Sequence, residues 1–386
     1  MQIKPAKLQV LFAYPKEGDN TMGEKWTKER AWEWYNSRPW IRGFNYVAYG
    51  AVNRIEQWQE LEHDRIEKCF REEMKLAHEY GFNAVRSILP YEVWGRQHDT
   101  FMEYIETYLQ ICAENEIGVM FCFGNDCTVP MAEYKLPELG PQHVDMGYHG
   151  GMARSPHDVL ADHGKSPLDV PEYAEHFCQM VDEIVGKYAK DERVIVWNMF
   201  NEIGNSRRQM LSVPWMERFF EIARSHDPIQ PLTADAWSIG PEREEKIHPW
   251  DMRAIELSDV ISYHDYRNFQ ISVDILDILK EFDRPIFNTE WLHRMQGNKV
   301  QTHLPLFYLE KVACFNWGLV VGKSQNNEPW EAIWRRWENG QGEYYDFTQW
   351  QHELFRPNFR PYDPKEMRIF KKYAAMADAK FAAKKK

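Results

Sequence analysis

Long apolar runs, patterned cysteines and basic clusters are all missing from this sequence, and each absence removes a class of function. No stretch approaches the ~18 consecutive apolar residues of a membrane span, and MQIKPAKLQVLFAYPKEGDN lacks an apolar core followed by a small-residue cleavage site. The cysteines Cys69, Cys112, Cys122, Cys127, Cys178 and Cys314 show neither the dense spacing of a disulfide framework nor the close pairs of a structural zinc site. Free thiols in a reducing compartment fit that scatter, so the expectation is a cytoplasmic protein, unless a leader has been removed. Acidic residues outnumber basic ones by 59 to 47, for a formal net charge of −12, which disfavours nucleic acid and other phosphate-rich partners. The short run Lys384, Lys385 and Lys386 reads as a frayed, solvated tail.

What is plentiful is aromatic surface: 16 Trp, 19 Tyr and 21 Phe in 386 residues. Most of it packs cores and loops, but a tryptophan ring also offers the flat apolar face on which a sugar's C–H surface stacks. With 44% hydrophobic and 27% charged residues the chain can bury a large core and still solvate its surface. Its length exceeds the usual single domain, yet barrels of alternating strands and helices hold about 250 residues or more as one unit.

Residues 1–37 are polar with aromatic punctuation and no clear period, and are expected to wrap the outside of a domain spanning 38–386. Beyond them, short β-branched or aromatic runs alternate with stretches of helical spacing, the pattern of βα units and a parallel sheet. Eight strands are expected, over residues 40–46, 84–89, 118–123, 194–199, 232–235, 260–263, 285–289 and 315–321. Between them lie helical patterns such as DRIEKCFREEMKLAHEYGFN, where Ile66, Phe70, Met74, Ala77 and Tyr80 recur at three- and four-residue steps and Gly81 marks the stop. PEYAEHFCQMVDEIVGKYA, with Pro171 near its start, and VDILDILKEF read the same way. This predicts an α/β fold, a (β/α)8 TIM barrel forming a single domain with long βα loops. Residues 124–171, rich in Gly, Pro, His and Asp, make the longest irregular stretch, and barrel sites sit on loops at the C-terminal ends of strands.

Two segments share one grammar. VIVWNMFNEIGN is a buried-type strand running into Asn201 and Glu202, and RPIFNTEWL is another running into Glu290 and Trp291. A carboxylate ending an apolar strand is costly unless it faces a cleft or finds a partner. Glu202 and Glu290 stand 88 positions apart (290 − 202), and a βα unit averages about 30 residues, so three units fit between them. That puts them at the ends of the fourth and seventh strands, on opposite walls of one mouth. Two carboxyl groups about 5 to 5.5 Å apart suit retaining glycoside hydrolysis, one as nucleophile and the other as proton donor.

These motifs resemble glycoside hydrolase clan A, especially its cellulase-like family five relatives, from PWIRGFN at the first strand to FNWGLVVGKSQ at the eighth. The resemblance implies a retaining β-glycosidase working by double displacement, with Glu290 as nucleophile and Glu202 as general acid/base. It implies no cofactor or metal, and a β-linked oligosaccharide or glycoside as the partner. Arg86, in NAVRSIL, is similar to the clan's second-strand arginine that supports the nucleophile's charge, and Asn201 to the asparagine that binds the sugar hydroxyl beside the reacting carbon. His264 and Tyr266, in SYHDY, resemble the sixth-strand pair lining the site, and Trp317 the eighth-strand platform beneath the sugar. Trp291, beside Glu290, and Asp126, in CFGNDC, complete the set of candidate substrate-binding residues, although no family residue aligns at Asn125 and Asp126. Ile203 stands where many members carry proline after the glutamate, a departure that leaves both carboxylates in place.

Each of these residues has a structural alternative: an ion pair for Arg86, a satisfied core histidine for His264, simple packing for Trp317. Two rival functions stay open. One is a barrel whose divalent metal is held by His143, His149, His157 or His163 with Asp126, Asp145, Asp158 or Asp162, although their spacings reproduce no known ligand pattern. The other is a barrel that binds sugar without turning it over.

Overall fold

The computed structural model describes residues 23–154 and 162–384. Nine parallel strands form its sheet: β1 (Arg42–Asn45), β2 (Ala84–Ile88), β3 (Gly118–Asn125), β4 (Val194–Asn201), β5 (Leu232–Thr233), β6 (Asp235–Ala236), β7 (Ile261–His264), β8 (Ile286–Trp291) and β9 (Ala313–Trp317). They run in the order β5-β4-β3-β2-β1-β9-β8-β7-β6, so the first and last strands are hydrogen-bonded neighbours. β5 pairs with β4 and β6 with β7, and the residue between them, Ala234, gives its N–H to Ser258 Oγ at 3.1 Å rather than to the ladder. Nine short strands therefore occupy eight staves, with helices between them: a (β/α)8 TIM barrel. The eighth stave begins at Ala313, earlier than expected, and ends at Trp317, where Gly318 turns the chain at φ +71° and a Cβ would strike the Glu353 side chain.

Helices cover the barrel by the periodicity that sequence displays. In His63–Glu79, Ile66, Phe70, Met74 and Ala77 are buried on one face. The chain leaves this helix through Gly81 at φ +91°, with its N–H bonded to His78 O at 2.9 Å and Phe82 N–H to Ala77 O at 3.0 Å. That pair of bonds satisfies carbonyls the last turn would otherwise leave open.

The barrel interior is layered. At its N-terminal end Met120, Val196, Phe287 and Phe315 fill the bore, and Gly43 is small because a Cβ there would meet the Phe315 ring at 2.4 Å. Helix Lys28–Asn36, capped by Thr27 Oγ1 on Arg30 N–H, closes this end with Tyr35 and the partly buried Trp34, both against Phe287. Burying such rings contributes about 1.5–3 kcal/mol each. The expected wrapping segment falls partly outside the described residues, which begin at Gly23. Apolar packing thus occupies one end of the bore and leaves polar side chains for the other.

Two long excursions overhang that polar end. Of the expected irregular stretch 124–171, Gly124 and Asn125 end β3 and Pro171 opens helix Pro171–Tyr188, and between them the described residues form only short 3-10 turns at His149–Gly151 and Pro167–Asp169. The second, residues 318–363, carries helix Glu331–Glu338 and is anchored by buried Arg294. Arg294 binds the Glu366 carboxylate at 2.9 and 2.7 Å and the carbonyls of His352 and Glu353 at 2.9 and 2.8 Å. Among the described residues no helix is long and apolar enough to cross a membrane.

Candidate active site

Strand register brings the polar residues to one level. Asn45 on β1 lies beside Arg86 on β2 and Trp317 on β9, Asn125 on β3 beside Asn201 on β4, and His264 on β7 beside Glu290 on β8. All belong to the C-terminal ends of parallel strands, so the side chains that face inward meet above the apolar plug.

Glu202 follows β4 directly and holds a left-handed backbone at φ +47°. A non-glycine residue in that region is strained unless its surroundings fix it. Here they do. One carboxylate oxygen meets His264 Nδ1 at 2.7 Å, and the other accepts the Cys127 thiol at 2.7 Å and the Asn205 amide. Gly204, at φ +80° where a Cβ would collide with the Trp250 ring, completes the turn.

Glu290 is gripped on both oxygens. Arg86 Nη1 donates to Oε1 at 3.2 Å and the Tyr266 hydroxyl to Oε2 at 2.6 Å, while His264 Nδ1 stands 3.4 Å from Oε2. Arg86 is fully buried and also binds Asn45 Oδ1 (2.7 Å), Asn201 Oδ1 (2.6 Å) and Asp235 Oδ2 (2.7 Å). Asp235 in turn accepts from Asn198 Nδ2 at 2.5 Å and Thr289 Oγ1 at 2.7 Å. One oxygen from Glu202, one from Glu290 and a nitrogen of His264 lie within 4.8 Å of one another.

These contacts set the charges. Burial works against an ionised Asp235, but Arg86 and His264 outweigh it and hold the carboxyl well below its usual range. Burial likewise opposes a charged His264; the charges of Glu290 and Asp235 and the hydrogen bond His264 donates to the Glu202 carboxylate outweigh it, and the imidazole is pushed up to about 10. Burial raises the Glu290 carboxyl and Glu202 adds to that, opposed by His264, Arg86 and Tyr266. Burial and then Glu202 push the Cys127 thiol upward, so it stays protonated and donates.

A pH effect follows from the imidazole. Its folded pKa, about 10, lies above the 6.5 of an ordinary imidazole, so the stability it adds is complete below about pH 6.5 and is lost as pH rises through about 10. Denaturant unfolding of the protein and of His264→Gln is expected to show a stability gap that narrows from neutral to alkaline pH. A gap that widened would mean His264 is neutral in the folded state.

The paired carboxyls open into a cavity of about 590 Å³, within the ~300–1,000 Å³ of small-molecule sites. Its walls mix aromatic faces (Trp237, Trp317, Trp330, Tyr266) with amides (Asn45, Asn125, Asn201, Asn205, Asn326). Trp237 Nε1 is tied to Ile203 O at 2.9 Å and Trp330 Nε1 to His149 at 3.2 Å, which fixes the planes of both rings.

Comparison with protein-family models and with curated proteins gives no match. Comparison with solved structures does. A family 39 glycoside hydrolase from Bacteroides cellulosilyticus WH2 superposes with a TM-score of 0.52 at 14% identity, over 89% of this chain and 64% of that one. An exo-β-1,4-mannosidase from Opitutaceae bacterium strain TAV5 gives 0.55 at 13%, over 89% and 60%. A GH5_18 protein from Streptomyces cattleya, in complex with Manβ1-4GlcNAc, gives 0.55 at 12%, over 89% and 80%. The likeness is one of fold, the (β/α)8 barrel. The chain spans less than two thirds of the first two proteins' length.

The barrel brings together Glu202, Glu290, Arg86, Asn201, His264, Tyr266 and Trp317, all of which line the cavity. It places two sequence candidates elsewhere. Trp291 is fully buried on the outer side of β8 against Phe307 and Phe370, because Glu290 points inward and successive strand side chains alternate. Asp126 is fully buried behind the wall, where it accepts from Arg208 Nε (2.8 Å), Ser212 Oγ (2.7 Å) and Gly204 N–H (2.7 Å). It braces the turn that presents Glu202 and cannot reach a ligand.

Sequence reading missed Asn45, Cys127, Asp235 and the contribution of residues 318–363, which supply Asn326, Trp330 and His352 to the cavity. An inward polar residue at a strand end was the available signal for Asn45 and Asp235. The loop histidines do not converge: His143 pairs with Asp145, His163 with Asp162, and His149 binds Glu328 O and Trp330, while His157 and Asp158 lie outside the described residues. Among the described residues the group with metal-ligand spacing is Glu202, His264 and Glu290. A protonated His264 has no lone pair to offer a cation.

Proposed function

We propose that the protein is a retaining β-glycosidase acting on a β-linked oligosaccharide or glycoside. The observation that carries this reading is the pair Glu202 and Glu290, both buried, with one carboxylate oxygen of each within 4.8 Å of the other's. A nucleophile needs its lone pair aimed and its charge supported, which Arg86 and Tyr266 do for Glu290. An acid/base needs to gain and lose a proton, and Glu202 sits at the cavity against the Cys127 thiol and the His264 imidazole rather than against an arginine.

In this reading Glu290 attacks the anomeric carbon while Glu202 protonates the leaving oxygen. A glycosyl ester forms on Glu290 as the glycosidic bond breaks. Glu202, now a carboxylate, takes a proton from water, which attacks the same carbon and frees Glu290. Asn201, which accepts from Arg86 at the cavity wall, would bind the hydroxyl beside the reacting carbon, and Trp317, in the same lining, would stack beneath the ring. The glycoside hydrolase fold of the structural neighbours supports the same chemistry. A cytoplasmic setting is part of the proposal, supported by the six free cysteines.

A 2-deoxy-2-fluoro β-glycoside with a good leaving group tests it. Incubation is expected to add the mass of the fluorosugar to the peptide that contains Glu290, because the slowed second step leaves the ester in place. Labelling of another carboxylate would reassign the nucleophile, and turnover with inverted configuration would exclude double displacement.

A further inference from the structure

The proposed reaction leaves one charge in the cavity unused. Of the cationic side chains in its lining, Arg86 is paired with Asp235 and Glu290, Arg267 with Asp265 at 2.7 Å, and His264 stands between Glu202 and Glu290. Arg54 lines the same space and has no hydrogen bond or ion pair among the described residues.

The catalytic groups are already balanced without it. With Glu202 protonated to act as an acid, Asp235 and Glu290 carry two negative charges against the two positive charges of Arg86 and His264. Arg54 therefore gives the mouth an excess of positive charge in a chain whose formal net charge is −12. It is half-buried, so part of its hydration is gone, and its five N–H donors form a planar fork that matches an oxyanion.

Its backbone position is fixed rather than accidental. Arg54 opens helix Arg54–Trp58 just beyond β1, and the preceding Asn53 caps that helix by accepting Glu56 N–H at 3.0 Å while its amide binds Gln142 at 3.0 Å. Arg54 lines the cavity together with Arg86, and its charge opposes the upward push of burial on the Cys122 thiol, which lies 3.6 Å from Arg86.

We infer that the glycoside taken by this site carries an anionic substituent, a carboxylate or a sulfate or phosphate ester, which seats on Arg54. The inference rests on the retaining-glycosidase reading for its substrate and adds the substrate's charge. A neutral sugar would leave the fork to water. An oxyanion would receive charge-assisted bonds in a partly desolvated pocket, where such bonds are strongest.

The test uses matched pairs that differ only in charge. Aryl β-glucoside with aryl β-glucuronide, and aryl β-galactoside with aryl β-galacturonide, probe a carboxylate; aryl N-acetyl-β-glucosaminide with its 6-sulfate and 6-phosphate probes the esters. Turnover is measured for the protein and for Arg54→Ala and Arg54→Lys. Binding of the corresponding free sugars is measured by titration calorimetry on the same proteins.

The expected result is a preference of ~10-fold or more for one anionic member over its neutral partner, reduced by added salt. Arg54→Ala is expected to erase that preference, losing far more on the anionic member than on the neutral one, and Arg54→Lys to restore part of it. A neutral member preferred in both assays, or a preference that survives Arg54→Ala, would overturn the inference and leave the glycosidase reading standing. Arg54-dependent anion binding without turnover of any pair would keep the inference and sink hydrolysis. Neither binding nor turnover of any pair would count against both.

Discussion

Glu290→Ala is expected to lower kcat/KM by ~10⁴-fold or more, the scale seen when a covalent nucleophile is removed. The loss should fall almost entirely on kcat, because the walls that hold the sugar are intact. Removing the carboxylate also vacates the space beneath the anomeric carbon, between Arg86 and Tyr266. Azide is an anion small enough to enter there, and Arg86 and His264 would attract it. Added azide should then attack an activated aryl β-glycoside in one inversion and give the α-glycosyl azide, read by the anomeric coupling in proton NMR. Full activity in the variant would refute the glycosidase reading, and a β-azide would reverse the two roles.

Glu202→Ala should separate the two half-reactions. Loss of a general acid costs about 10²–10⁴-fold, and the loss should be greatest for leaving groups that need protonation. An activated aryl glycoside would still form the ester on Glu290, so a rapid release of phenol followed by a slow steady state is expected. Azide needs no general base. It should speed the second step and give the β-glycosyl azide, since two inversions preserve configuration. An unchanged dependence on leaving-group acidity would show that Glu202 is not the proton donor. The local fold should survive, because Cys127, Asn205 and His264 can be hydrated through the cavity they line.

The two carboxylates could be read from the chain order because each ends an apolar strand, and the spacing of βα units carried them to opposite walls. Arg86, Asn201, His264 and Tyr266 were legible only through the resemblance to clan A, and the barrel brings all four to the cavity wall. Trp291 lies outside the site for a geometric reason. The alternation that turns Glu290 inward requires its neighbour to face outward, and the ring is buried against Phe307 and Phe370. Asp126 failed for another reason. Its role depends on Arg208 and Ser212, which lie 82 and 86 positions away, and no local pattern announces such partners.

Periodicity, strand spacing and the residues ending each apolar run are local properties of the chain, and from them came the barrel, its eight staves and the positions of Glu202 and Glu290. Charge state and partnership are not local. Closing the ring brings Arg86 to Glu290 across 204 positions, sets Asp235 beneath both Arg86 and His264, and presses the Cys127 thiol onto Glu202. Only those contacts decide that His264 is a cation, that Asp126 is a brace and that the Arg54 side chain has no partner among the described residues. A side chain's type is written in the chain, but its pKa and its purpose depend on the burial and the neighbours that folding assigns to it.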